Sequence, residues 1–117
     1  MHTRSIRFDD PQLQKDFVSE LRRTSFSFGI GSVGEVTCAE ADYSQLNGVA
    51  HIIRDRCFRW YFRWWKDNES AMAFWREMKK AGLPFQVEHH HDRIVFLLPR
   101  GSEDRHDEIS DLVHEVK

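Results

Sequence analysis

His89, His90 and His91 stand in succession, and their side chains come closest in this chain to announcing a chemistry. Imidazole nitrogens bind zinc, copper or nickel at neutral pH. On a strand alternate residues face the same way, so His89 and His91 could chelate one ion together. A structural zinc asks for four ligands, however. Cys38, Cys57 and His51 stand isolated, and neither Cys-x-x-Cys nor His-Glu-x-x-His spacing occurs. The triplet therefore reads as solvated turn histidines, and no metal or cofactor is expected. Gly29-Ile30-Gly31-Ser32-Val33-Gly34 matches the Gly-x-Gly-x-x-Gly of dinucleotide sites. That motif needs a helix to open directly after its glycines. Here an extended segment, residues 35–40, comes next, so a glycine-rich hairpin turn is the better account. Cys38 and Cys57 occupy apolar positions without a positioned His or Asn and read as buried, inert thiols. Glu35, Glu40 and Asp42 are explained by solvation and by a helix cap at Asp42, and His51 by a surface position beside Ile52. No catalytic constellation emerges, so the chain is not expected to be an enzyme.

The densest signal is Cys57-Phe58-Arg59-Trp60-Tyr61-Phe62-Arg63-Trp64-Trp65. Asp42-Tyr43-Ser44-Gln45 has capping-box spacing, and from it a helix can run over residues 42–66 with only Gly48 to weaken it. At about 100° per residue, Leu46, Val49, Ala50, Ile53, Cys57, Trp60, Tyr61 and Trp64 share one face. Phe58, Phe62 and Trp65 flank it, and Arg56, Arg59, Arg63 and Lys66 form a basic stripe on the far side. Three uses compete. The helix can be central, buried on several sides with Arg stems lying along aromatic rings. It can be a partner surface or homodimer seam, since Trp, Tyr and Arg dominate interface hot spots. It can also stack bases and pair phosphates as a nucleic-acid module. Arg59, Phe62, Arg63, Trp65 and Lys66 are the candidate partner-binding residues.

The elements that must position these residues follow from periodicity. Residues 5–8 suggest a short strand. Asp9-Asp10-Pro11 signals a helix start, and Leu13, Phe17 and Leu21 carry an amphipathic helix over residues 11–23. Phe26, Phe28 and Ile30 alternate, Gly31 to Gly34 supply a turn, and Val36 and Cys38 return. Sliding the chain against itself lays Phe17-Val18-Ser19-Glu20-Leu21-Arg22-Arg23 over Phe74-Trp75-Arg76-Glu77-Met78-Lys79-Lys80. Phe26 to Ile30 then lie over Leu83 to Val87, and Val36-Thr37-Cys38 over Ile94-Val95-Phe96. The spacing predicts two helix–hairpin (αββ) units, about 11–40 and 68–98, around the inserted helix 42–66. Gly82 stops the second unit's helix, and the turn of its hairpin falls at His89 to Asp92. Ile94 to Leu98 is apolar on both faces, which predicts cover on both sides. Residues 100–105 form a polar linker to a short amphipathic helix bearing Ile109, Leu112, Val113 and Val116.

The fold expected is α+β: one domain over residues 1–99, an antiparallel sheet of two hairpins with a possible fifth strand. Helices lie mainly on one face, the long helix is central, and residues 100–117 are appended. At 117 residues and 40% apolar content one modest core can close, which excludes a multidomain enzyme and a disordered chain. A net charge of −2 excludes bulk electrostatic attraction to nucleic acid. No apolar run is long enough for a bilayer and residues 1–10 carry no secretory h-region, so a cytoplasmic setting with reduced thiols is expected. The function expected is a small protein-binding or regulatory domain, an adaptor or inhibitor, acting through an aromatic and arginine surface. The alternative is nucleic-acid binding by helix 54–66. Nine Phe and four Trp exceed what one small core obviously needs. A homodimer is therefore expected, with Phe62 and Trp65 at the seam and Arg59 or Arg63 on its rim.

Overall fold

In strand β1 (Thr3–Phe8) Ile6 and Phe8 turn inward, and Asp9 and Asp10 then break the strand. Asp10 caps helix α1 (Pro11–Arg22): its carboxylate accepts the Leu13 amide at 3.1 Å, with Pro11 at the helix start. Residues 3–115 are described by the structure, a computed structural model. Val116, expected on the last apolar stripe, lies outside them. Strands β2 (Gly29–Ile30) and β3 (Val36–Ala39) form the first hairpin. Gly34, at φ 88°, takes a backbone conformation that side-chain-bearing residues avoid. A single 3₁₀ turn (Glu40–Asp42) leads into α2 (Tyr43–Cys57); Asp42 makes no side-chain capping bond there, so the expected capping box does not form. After β4 (Trp60–Trp64), Asp67 caps α3 (Asn68–Ala81) by accepting the Ser70 amide at 2.8 Å, and Gly82 closes it in the left-handed conformation. Strands β5 (Gln86–His90) and β6 (Ile94–Pro99) and helix α4 (Glu103–Glu115) complete the chain. Among the described residues no helix is long and apolar enough to cross a membrane.

The expected helix over 42–66 ends at Cys57. Phe58 is fully extended (φ −174°, ψ 174°), and residues 60–64 are a strand. The aromatic segment is apolar over most of its circumference, a pattern that suits a helix buried on several sides or a strand covered on both faces. Its partner decides between them. Tyr61 pairs with Leu98, Phe62 with Leu97 and Arg63 with Phe96, so the apolar run of β6, buried from Val95 to Leu98, supplies the ladder that draws β4 out of the helix.

The six strands form one antiparallel sheet in the order β2-β3-β1-β5-β6-β4. The shift that lays Phe17 over Phe74 also lays Asp10 over Asp67 and Thr3 over Trp60. A helix followed by a hairpin occurs twice in the element order, each time with a strand before it and a helix after it. The chain is β1-α1-β2-β3-α2 followed by β4-α3-β5-β6-α4. Helix α2 is the first unit's own closing helix, and α4 is its counterpart, with Ile109 and Val113 packed into a core.

Helices cover both faces, not mainly one. Cross-strand partners point the same way. Phe8 pairs with Glu88, so Val87 points to the opposite face from Phe8, and Phe96, paired with Val87, goes with it. Ile6, Phe8, Phe17, Leu21, Val36, Leu46, Ala50 and Ile53 form a core under α1 and α2 on the first face. Trp65, Ala71, Phe74, Met78, Val87, Phe96, Leu98, Ile109 and Val113 form a second core under α3 and α4 on the other. The reason is geometric. A unit advanced by three strands along an antiparallel sheet meets reversed strand direction, and keeping the strand order requires turning the unit over. Each half therefore has one helix-covered face and one face without its own helices.

Candidate binding face on the second half of the sheet

On the first face the second half presents Trp60, Phe62 and Trp64 of β4 and, opposite them, Val95 and Leu97 of β6. Val95 and Leu97 are buried, Trp60 and Phe62 half-buried, and Trp64 is 48% exposed. Trp60 and Phe62 rings lie 4.8 Å apart, and His51 of α2 meets Trp60 edge-on at 5.1 Å.

A buried charged group from α2 reaches into this face. Arg54 is 1% exposed, with its guanidinium 4.7 Å from the Phe62 ring centre and 5.5 Å from that of Trp60. Its Nε and Nη2 donate to the two oxygens of Glu88, each at 2.7 Å, and Nη1 donates to Asn47 Oδ1 at 2.9 Å. Register places Glu88 on the face of Phe8, where it is fully buried. His90 Nε2 lies 3.0 Å from Glu88 Oε1. Burial pushes the Glu88 pKa up, but the hydrogen bonds from His90 and Arg54 together outweigh it and hold the carboxyl below its usual range. With Glu88 ionised, Nε2 is the protonated nitrogen of His90 and donates. Arg54, Glu88 and His90 thus form a paired network, with Arg54 and Glu88 buried, that ties α2 to the strand beside the aromatic row.

Arginines frame both ends of the row. At one end Arg4, Tyr43, Asn47, Trp64, His90 and Arg93 surround a cavity of about 250 Å³. Arg4 lies 3.8 Å over the Tyr43 ring and pairs with Glu40 at 3.1 Å; Arg93 lies 5.7 Å over Trp64 and bonds Asp92 at 2.7 Å. At the other end His51, Asp55, Arg59, Trp60 and Arg100 line a shallower cavity of about 510 Å³, where Trp60 Nε1 donates to Asp55 at 2.8 Å.

The backbone of this row is also open. The Arg100 amide donates to the Arg59 carbonyl at 2.7 Å, which makes 59 and 100 a hydrogen-bonded pair. Antiparallel ladders alternate, so Tyr61 and Arg63 face β6, while Trp60, Phe62 and Trp64 turn their amides and carbonyls away from it. β4 ends the sheet. Arg100 Nε reaches the Trp60 carbonyl at 3.2 Å, and among the described residues no hydrogen bond reaches the Phe62 or Trp64 amide on that side. The other sheet edge, β2, is two residues long.

The five residues singled out from sequence do not share one surface. Phe62 lies in the row, and Arg59 and Lys66 are exposed beyond the ends of β4. Arg63 points to the opposite face and pairs with Asp107 of α4. Trp65 belongs to the second core, 4.6 Å from Phe74 and 6.0 Å from Phe96 between ring centres. The basic stripe dissolves with the helix, since Arg56 pairs with Glu20 of α1 at 2.9 Å. Trp60, Trp64, Arg54, Glu88 and Arg93 were missed. Alternation of Trp60, Phe62 and Trp64 was the available signal for the first two; the others meet only through the sheet.

The remaining candidates disperse. His89 turns to the second face, 3.0 Å from Asp9, while His90 serves Glu88 and His91 begins the turn. Among the described residues no group of three His, Cys, Asp or Glu could hold a metal ion. The glycine motif covers β2 and the turn of the first hairpin, and after Glu35 the chain enters strand β3 and not a helix. Cys38 and Cys57 are free thiols whose pKa values burial pushes up. Comparisons with known protein families, with curated proteins and with solved structures find no match for this chain.

Proposed function

We propose that this chain is a non-catalytic protein-binding module, regulatory or adaptor in kind, that receives an extended segment of a protein partner along β4. The observation that carries the reading is the coincidence, in Trp60, Phe62 and Trp64, of outward-facing backbone groups with an aromatic row on the open face. Strand addition draws affinity from main-chain hydrogen bonds and specificity from alternate side chains. The row supplies the second, and the arginines at its ends favour a segment with apolar residues at alternate positions and an acceptor at either end. The titratable groups nearest the row are already committed, Glu88 to Arg54 and His90, and Asp55 to Trp60 and His51. That supports recognition over catalysis. Two free thiols suit a reducing, cytoplasmic setting.

Peptide-display selection against the protein tests this. Selected peptides should slow hydrogen exchange at the Phe62 and Trp64 amides and lose at least about tenfold in affinity on Trp64→Pro, which removes one outward amide. Peptides that leave those amides unchanged would overturn the reading. A gel shift with single-stranded nucleic acid at low salt covers the alternative. Retardation that falls steeply with added salt and needs Trp60 and Trp64 would replace a protein partner with a nucleic acid.

A further inference from the structure

We infer that the segment received along β4 is β4 of a second copy, in a twofold dimer whose axis passes through Phe62. The inference rests on the edge-strand reading above and adds the partner and the register. An unprotected, apolar edge strand is a template for another strand, and folded proteins blunt such edges with charges, proline or bulges. β4 contains no proline and no acidic residue, and its one charge, Arg63, points to the covered face and is paired there with Asp107.

Charge then selects the register. A twofold antiparallel pair is centred on one residue. Centring on Tyr61 would set Arg59 opposite the partner's Arg63, and centring on Arg63 would set that arginine opposite itself. Like charges directly opposed are destabilising. Centring on Phe62 pairs all five residues of β4. Phe62 faces the partner's Phe62 and Trp60 faces the partner's Trp64, all with outward amides and carbonyls, as a hydrogen-bonded ladder requires. On the other face Tyr61 meets the partner's Arg63, so that arginine faces an aromatic ring, a favourable cation–π pairing. The contact is isologous, so it closes at two copies instead of growing into a filament. It joins the two aromatic rows into one surface, with Trp64 of each copy beside the partner's Trp60.

Light scattering and sedimentation across low to high micromolar protein test the inference, together with three variants of the full chain. Wild type should pass from monomer to dimer with concentration. Trp64→Pro should raise the dimer dissociation constant at least about tenfold without lowering the melting temperature of the monomer, because the Trp64 amide takes no part in the ladder to β6. Under mild oxidation Phe62→Cys should give a covalent dimer joined at position 62 by mass mapping. Trp64→Cys should not, since its counterpart lies two residues off the axis. A wild type that stays monomeric at every concentration overturns the inference, and bound peptides protecting the Phe62 and Trp64 amides would then still uphold the strand-addition reading. A dimer untouched by Trp64→Pro, or one that cross-links at position 64 and not at 62, overturns it as well.

Discussion

Thr3, Ser5 and Arg7 occupy in β1 the places that Trp60, Phe62 and Trp64 occupy in β4, and Thr37 and Ala39 in β3 match Val95 and Leu97 in β6. Both sets line the face their own helices leave bare. The first set is polar apart from Ala39, as a solvated sheet face requires. The second is almost wholly apolar. Since the two halves share one architecture, the aromatic row is not a demand of the fold: the first half closes without it. Position explains part of the contrast. β1 is central and pairs on both sides, whereas β4 ends the sheet, and α2 leans over its row through Arg54 and His51. Trp64, half exposed at the far end, is explained by neither, and it is the residue on which the proposed recognition rests most directly.

The largest test of this contrast lies beneath the row. Arg54→Ala leaves Glu88 as an unpaired buried carboxylate and should destabilise the fold by about 3–5 kcal/mol in urea titration. The paired replacement Arg54→Met with Glu88→Leu should recover most of that loss, which would show the network to be a clamp for α2 and not a source of net stability. Neighbouring tryptophans sharpen the point. Trp65→Ala opens a cavity in the second core and should cost about 3–5 kcal/mol. Trp64→Thr, which gives the second face the character of the first, should change monomer stability by less than about 1 kcal/mol while weakening association. If Trp64→Thr proves as damaging as Trp65→Ala, the row is core and the contrast between the two faces fails.

Acid should weaken the fold through two buried groups, Glu88 and His106. Glu88 has a lowered folded pKa, so its ionised form stabilises the protein above about pH 4.3, the unfolded value, and that contribution is lost as pH falls through the folded value. His106 of α4 is buried, with its Nδ1 hydrogen-bonded to the Tyr61 hydroxyl. Burial, with help from Arg63, lowers its pKa. Neutral His106 stabilises fully above about pH 6.5, and stability falls as pH drops below that value toward the folded pKa. Stability measured against pH should therefore decline in two stages, and Glu88→Gln should flatten the lower one. The smallest expected effect is on the polar face, where Thr3→Ala should stay within about 0.5 kcal/mol in the same titration.

The elements legible in the residues alone are those satisfied within a turn or two of chain. Asp10 with Pro11 opens α1 and Gly82 closes α3, because caps and left-handed stops draw on atoms three or four residues away. The α+β class and the double-sided cover of β6 were legible through local periodicity. The candidate site was legible only in its composition. Aromatics and arginines in 57–65 marked the region, but the choice of strand over helix came from β6, more than thirty residues onward, whose ladder bonds no local pattern displays. The meeting of Arg54, Glu88 and His90 depends likewise on the pairing of β1 with β5, and the bare faces on the turning-over of the second unit. Side-chain alternation states that a strand has two faces. Which face receives the helices, and which edge is left open, is decided by strand order, a property of the assembled sheet alone.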